Sequence, residues 1–140
     1  LVFSFFIFIL KKIKVMSGGT FDYQQYRIRD IADRVEQEIA QSGQPKTERE
    51  LKEDYPWKDE TYFEKYPEDK FHYAYPEEII AEFKKGYELL RKAEIYAQRI
   101  DRLIACDDGN ESFLKRLREE LDVLEYELKV KKFEVREEDE

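Results

Sequence analysis

Leu114, Leu117, Leu121, Leu124 and Leu128 recur at 3-4-3-4 spacing. That spacing keeps one side of an α-helix apolar over two heptads and does not fit the alternation of a strand. A longer periodic run precedes it: Ile79, Ile80, Phe83, Tyr87, Leu90, Ala93, Ala97, Ile100 and Ile104. Pro76 suits a first helical position, and Glu77 and Glu78 suit the positive end of a helix dipole. The pattern predicts a helix over residues 76–105, about 45 Å long at ~1.5 Å per residue. Cys106-Asp107-Asp108-Gly109 reads as a stop, and Asn110 or Ser112 as the cap of the leucine helix. So short a connection folds the two helices back as an antiparallel hairpin. The longer arm then overhangs the shorter one, and the rest of the chain is expected to pack on that overhang. Gly86 interrupts the long helix, at up to ~1 kcal/mol relative to alanine, and a close helix crossing would account for it.

A first helix is expected over residues 22–41, with Ile28, Ile31, Val35 and Ile39 on its apolar side. Ser42-Gly43 stops it and Pro45 prevents resumption. Thr47-Glu48-Arg49-Glu50 matches a capping box, placing a short helix over 48–54, which Tyr55-Pro56 ends. Residues 55–75 then carry eight aromatics in 21 positions, punctuated by Pro56 and Pro67, with Pro76 just beyond. Disordered segments are poor in aromatics. This stretch is therefore read as an ordered, irregular strap with one helical turn near 60–65. It either staples rings onto a helical core or presents Trp57, Tyr62, Tyr66, His72 and Tyr73 as an interaction surface. The fold class expected is all-α: a helical hairpin plus an N-terminal helix forming a small bundle, with an aromatic strap.

The chain starts with LVFSFFIFIL, nine apolar residues in ten, followed by KKIKV. Ten residues are about half of the ~20 that a membrane-spanning helix needs. A secretory signal would carry its positive charge before the apolar run, not after it. Three readings of residues 1–15 stay open: upstream sequence that is not native, a short membrane-associating tail, or a signal remnant or helical arm. Residues 16–136 are expected to form one helical domain, and 137–140 an acidic, frayed tail. Of 25 basic residues, Lys11, Lys12 and Lys14 precede Met16, leaving 22 against 33 acidic ones from there on, net −11. Such a charge repels phosphate backbones and argues against sequence-independent nucleic-acid binding. It permits acidic mimicry of nucleic acid, although interspersed lysines and arginines break a clean charge track.

Chemistry is sparse. One cysteine and one histidine make neither a disulfide nor a Cys/His zinc site. DDGNES at 107–112 fails as a calcium loop, because the first and third ligand positions would fall on Ile104 and Cys106. Asp69 and His72 lack a second histidine for a metal triad. No Walker loop, dinucleotide fingerprint or nucleophile–base pair is present. The expectation is of no catalytic residue, no metal and no cofactor. One candidate binding feature remains. Ser17-Gly18-Gly19-Thr20 precedes a helix start, and two glycines let successive amides converge on an anion. Tyr23, Tyr26 and Arg27 follow within two turns and could stack on a base or pair with a phosphate.

The opening MSGGTFDY at residues 16–23, with Tyr26, Arg27, Asp30 and Ile31, and later HYAYPEEII and YAQRIDRL, resembles small proteins of phages, prophages and gut bacteria. These open Met-Ser-Gly-Gly-x-Phe/Trp-x-Tyr. The resemblance spans most of residues 16–128, excludes residues 1–15 and carries over no catalytic residue. It implies a cytoplasmic accessory protein of a mobile element. The function expected is non-catalytic interaction with a protein partner or with itself. Capture of a small anionic ligand, such as a nucleotide, at the Ser-Gly-Gly-Thr start is the alternative. Membrane association is expected only if residues 1–15 are native.

Overall fold

The computed structural model describes residues 19–135. The apolar run at 1–15, Ser17, Gly18 and the acidic end at 137–140 lie outside them. Among the described residues the protein is all-α. The helices are α1 (Gln25–Gln41), α2 (Glu48–Asp54), α3 (Glu60–Lys65), α4 (Glu77–Ile104) and α5 (Asn110–Val130), with a 3-10 turn at Pro67–Lys70. Two compact units divide the chain. One comprises the chain through Arg34 together with Gly86–Lys131; the other comprises Val35–Lys85 together with the residues from Lys132 on.

In the first unit α4 and α5 form the expected antiparallel hairpin. Its turn is a Schellman closure: Cys106 N donates to Leu103 O and Asp107 N to Arg102 O. Cys106 occupies the left-handed position at φ 63°, where glycine is the usual residue. Gly109, not Asn110 or Ser112, is the N-cap of α5, and no side chain caps that end. Asp108 turns inward instead, 3.4 Å from Arg99 Nη1 and 2.7 Å from Arg116 Nη1. This buried carboxylate ties the turn to both helices.

The start of α1 lies along the far half of α4, with Gln25 beside Gln98 and Arg29 beside Glu94. The start of α1 thus reaches beyond the overhang, while its end, residues 35–41, belongs to the same unit as the overhanging residues 77–85. Asp101, near the turn end of α4, holds the chain just ahead of α1, so α1 begins there and runs antiparallel to α4. The buried side of α1 is also rotated from the expected one. Gln25, Ala32 and Ile39 are buried, while Ile31 is exposed. A polar residue anchored at its start sets the face that the aliphatic spacing alone assigned elsewhere. Tyr87 and Leu124 are the largest fully buried side chains. The Tyr87 hydroxyl accepts from Arg91 Nη1 at 2.8 Å. Of the α5 leucines only Leu124 is buried, and Leu114 is exposed.

In the second unit the capping box at Thr47 and Glu50 forms as expected, with both reciprocal bonds present. Asp59 caps α3. Residues 67–70, read as part of the irregular strap, form the 3-10 turn, because Pro67 sits at its first position, where a missing N–H costs nothing. Gly43 N donates to Tyr73 O, Lys46 N to Lys70 O and His72 N to Gln44 O, lacing residues 43–46 against 70–73. Ser42 Oγ accepts from Tyr75 N at 2.9 Å. Phe63 and Ile39 are the buried apolar side chains of this unit.

Candidate functional site

The chain ahead of α1 does gather an anion, and that anion is the protein's own. Asp101 Oδ1 accepts from Thr20 N at 2.6 Å and from Phe21 N at 2.9 Å. Gln25 Nε2 approaches Oδ2 of the same carboxylate at 3.5 Å and donates to Gln98 Oε1 at 2.8 Å. Gly19, at φ 79°, lies so close that a Cβ there would fall 3.0 Å from Asp101 Oδ2. Glycine at 19 is favoured by its backbone angle, and its missing side chain leaves Asp101 undisturbed. Asp22 and Tyr23 also take positive φ, 49° and 61°. These turns delay α1 to Gln25 rather than the expected residue 22. Thr20 does not cap it: its Oγ1 is buried without a hydrogen-bond partner, as is Gln25 Oε1.

Of the residues singled out for anion capture, Ser17 and Gly18 lie outside the described residues. Gly19 and Thr20 surround Asp101. Tyr23 and Tyr26 stack on each other at 6.3 Å between ring centres, and both are exposed, as is Arg27. A small anion from solution would have to displace Asp101 to use the Thr20 and Phe21 amides. Of the two donors, Thr20 was among the residues singled out and Phe21 was not, and nothing in YAQRIDRL marks Asp101 as pointing inward.

The aromatic residues of the second unit form two groups. Tyr55, Tyr62, Phe63 and Tyr66 make a chain of ring contacts at 4.9–5.9 Å between centres. Tyr73, Tyr75 and Phe83 make another, with both contacts at 4.9 Å. Ammonium groups lie over several rings: Lys46 over Tyr55, Lys58 over Tyr62, Lys65 over Tyr66 and Lys70 over Phe63. The Tyr62 hydroxyl donates to Asp69 Oδ2, and this hydrogen bond pushes the Tyr62 pKa up to about 12. His72 Nε2 lies 2.7 Å from Glu50 Oε2. Among the five proposed surface residues, then, Tyr62 and Tyr66 are joined in packing and His72 is paired with a carboxylate. Tyr73 is edge-packed on Tyr75 yet exposed. Trp57, in the turn between α2 and α3, is 93% exposed and belongs to neither ring group.

A third feature was not visible in the sequence. Between α4 and α5 lies a cleft of about 310 Å³ with Ile95, Val123 and Leu124 on its apolar part. Glu94, Glu119, Glu120 and Glu127 stand around it, with Arg91 and Gln98. Among the described residues no group of three or more His, Cys, Asp or Glu side chains could hold a metal ion, and no helix is long and apolar enough to cross a membrane. No protein-family model, no curated protein and no solved structure matches the chain.

Proposed function

We propose that this is a non-catalytic helical protein that works by protein–protein contact, with itself or with a partner. One observation carries the reading, an apolar ridge along α4. Gly86, Leu89, Ala93, Tyr96 and Ile100 follow one another at 3-4-3-4 spacing, and Ile104 extends the line. At 3.6 residues per turn they lie on the side of α4 opposite Arg91, Ile95 and Gln98, which face the α4–α5 cleft. Leu89, Ala93, Tyr96 and Ile104 are exposed. A heptad-like seam with small residues alternating with large ones is the form that receives another helix. The same seam corrects the expectation about Gly86. A Cβ there would meet nothing within 4 Å, so no helix crossing among the described residues explains that glycine.

The exposed Trp57 and Tyr73 of the second unit support the same reading, because aromatic side chains are enriched among residues that anchor interfaces. The resemblance of the opening residues to phage and prophage proteins fits a cytoplasmic accessory role. The test is photo-crosslinking from a photoreactive residue at position 89, together with sedimentation across a wide concentration range. Protein adducts at that position are expected, and a Leu89→Asp/Tyr96→Asp double variant should lose association while keeping its helical circular dichroism. A chain that sediments as a monomer throughout and gives no adduct overturns the proposal.

A further inference from the structure

We infer that the cleft between α4 and α5 is a docking groove for a basic amphipathic helix of a partner protein. This names a second contact face, and it rests on the reading of the chain as an interaction protein.

The groove has helical periodicity on both walls. Arg91, Glu94, Ile95 and Gln98 project from α4 at i, i+3, i+4 and i+7; Glu119, Glu120, Val123, Leu124 and Glu127 project from α5 in the same manner. Its apolar part does not end at the cleft. Val123, Tyr126 and Val130, spaced i, i+3, i+7 along α5, are 58%, 68% and 58% exposed. A small ligand of the size that fits about 310 Å³ would have no use for Tyr126 and Val130. A helix laid along the groove would use all three through its own i, i+3 or i+4, and i+7 anchors.

The charge of the rim selects the partner. Glu119 is 61% exposed on the rim, Glu127 is also exposed and Glu120 is half-buried. Their cations lie inside. Arg99, buried, sits 3.3 Å from Glu120, and Arg91, largely covered, sits 3.2 Å from Glu127. Lys115 reaches Glu119 only at 4.0 Å across open surface, where screening leaves little attraction. An approaching helix therefore meets carboxylates first and guanidinium groups behind them. The net charge of −8 adds long-range attraction for a basic partner and repels an acidic one.

The test uses a fluorescein-labelled model helix of leucine and lysine, apolar at heptad spacing, and a counterpart with glutamate in place of every lysine. Fluorescence anisotropy with the full chain should show saturable binding of the lysine peptide, weakening as salt is added, and none of the glutamate peptide. Val123→Asp should weaken binding by at least about tenfold, equivalent to ~1.4 kcal/mol. Glu119→Lys, which alters only an exposed rim residue, should weaken it independently. Leu89→Asp, on the opposite side of α4, should leave it unchanged. Equal binding of both peptides, no binding of either, or indifference to both groove variants overturns the groove. Association that Leu89→Asp abolishes and the groove variants spare would overturn this inference alone and leave the contact reading of α4 standing.

Discussion

Replacing Asp101 by alanine should detach the chain ahead of α1 from α4. Its carboxylate accepts two backbone N–H bonds, at 2.6 and 2.9 Å, and a longer one from Gln25. A hydrogen bond to a charged group is worth about 1.5–3 kcal/mol net, so two give about 3–6 kcal/mol. Two effects reduce that. The carboxylate is desolvated at this buried position, and the freed Thr20 and Phe21 amides are only part-buried and can bond to water instead. The expected loss for Asp101→Ala is therefore about 2–3 kcal/mol. Asp101→Asn keeps an oxygen of the same shape to accept both amides and loses the charge, so about 1 kcal/mol is expected. Urea unfolding followed by circular dichroism measures both losses. Amide exchange adds a local readout: Thr20 and Phe21 should lose protection in the alanine variant ahead of the rest of the first unit. The reasoning is refuted if Asp101→Ala stays within about 0.5 kcal/mol of the parent, or if asparagine is as damaging as alanine.

Gly86→Ala should raise stability by up to ~1 kcal/mol, since a Cβ meets nothing within 4 Å and the helix backbone gains order; a lower melting temperature would mean that the ridge is already covered within the chain. Cys106→Gly should also stabilise, by roughly 1 kcal/mol, because Cys106 sits at φ 63° in the Schellman turn; denaturant midpoints of the two proteins decide it. The Tyr62 phenol should ionise near pH 12 rather than 10, because its proton is held by Asp69, and Asp69→Asn should return it toward 10. Its folded pKa lies above its unfolded one, so the associated stability is fully present below pH 10 and is lost as pH rises through 12. Carbon-13 chemical shifts of labelled tyrosine rings follow that one phenol among the ten tyrosines.

Much of the architecture could be read locally. The capping box at Thr47 and Glu50 fixed α2 to the residue, because both of its bonds lie within four positions of sequence. The turn at Cys106–Gly109 was placed correctly, although the residue that caps α5 was not, since Asp108 is drawn inward by Arg99 and Arg116. The strap resolved less well. Its single helical turn at Glu60–Lys65 was expected, but the 3-10 turn after Pro67 was not. Apolar spacing overstated the core throughout. Ile31, Ile104 and Leu114 satisfy the periodicity and are exposed, while Gln25, Arg99, Asp101 and Asp108 are buried.

That contrast separates what each level decides. Periodicity, capping and short connections act over a few residues, so the existence of the helices and the fold-back of α4 and α5 were legible locally, whereas the start of α1 and the cap of α5 were not. Glycines ahead of a helix marked this stretch as able to present amides, but the two that do so are those of Thr20 and Phe21. What answers those donors was decided only by tertiary structure. Asp101 is 80 and 81 positions away from the two amides it receives, and no local rule says which of 33 acidic side chains turns inward. The same holds for the α4 ridge and the cleft on the far side of that helix. Periodicity marks residues as apolar, but which of them are covered depends on where α1 and α5 come to lie, and Asp101 is among the groups that set this.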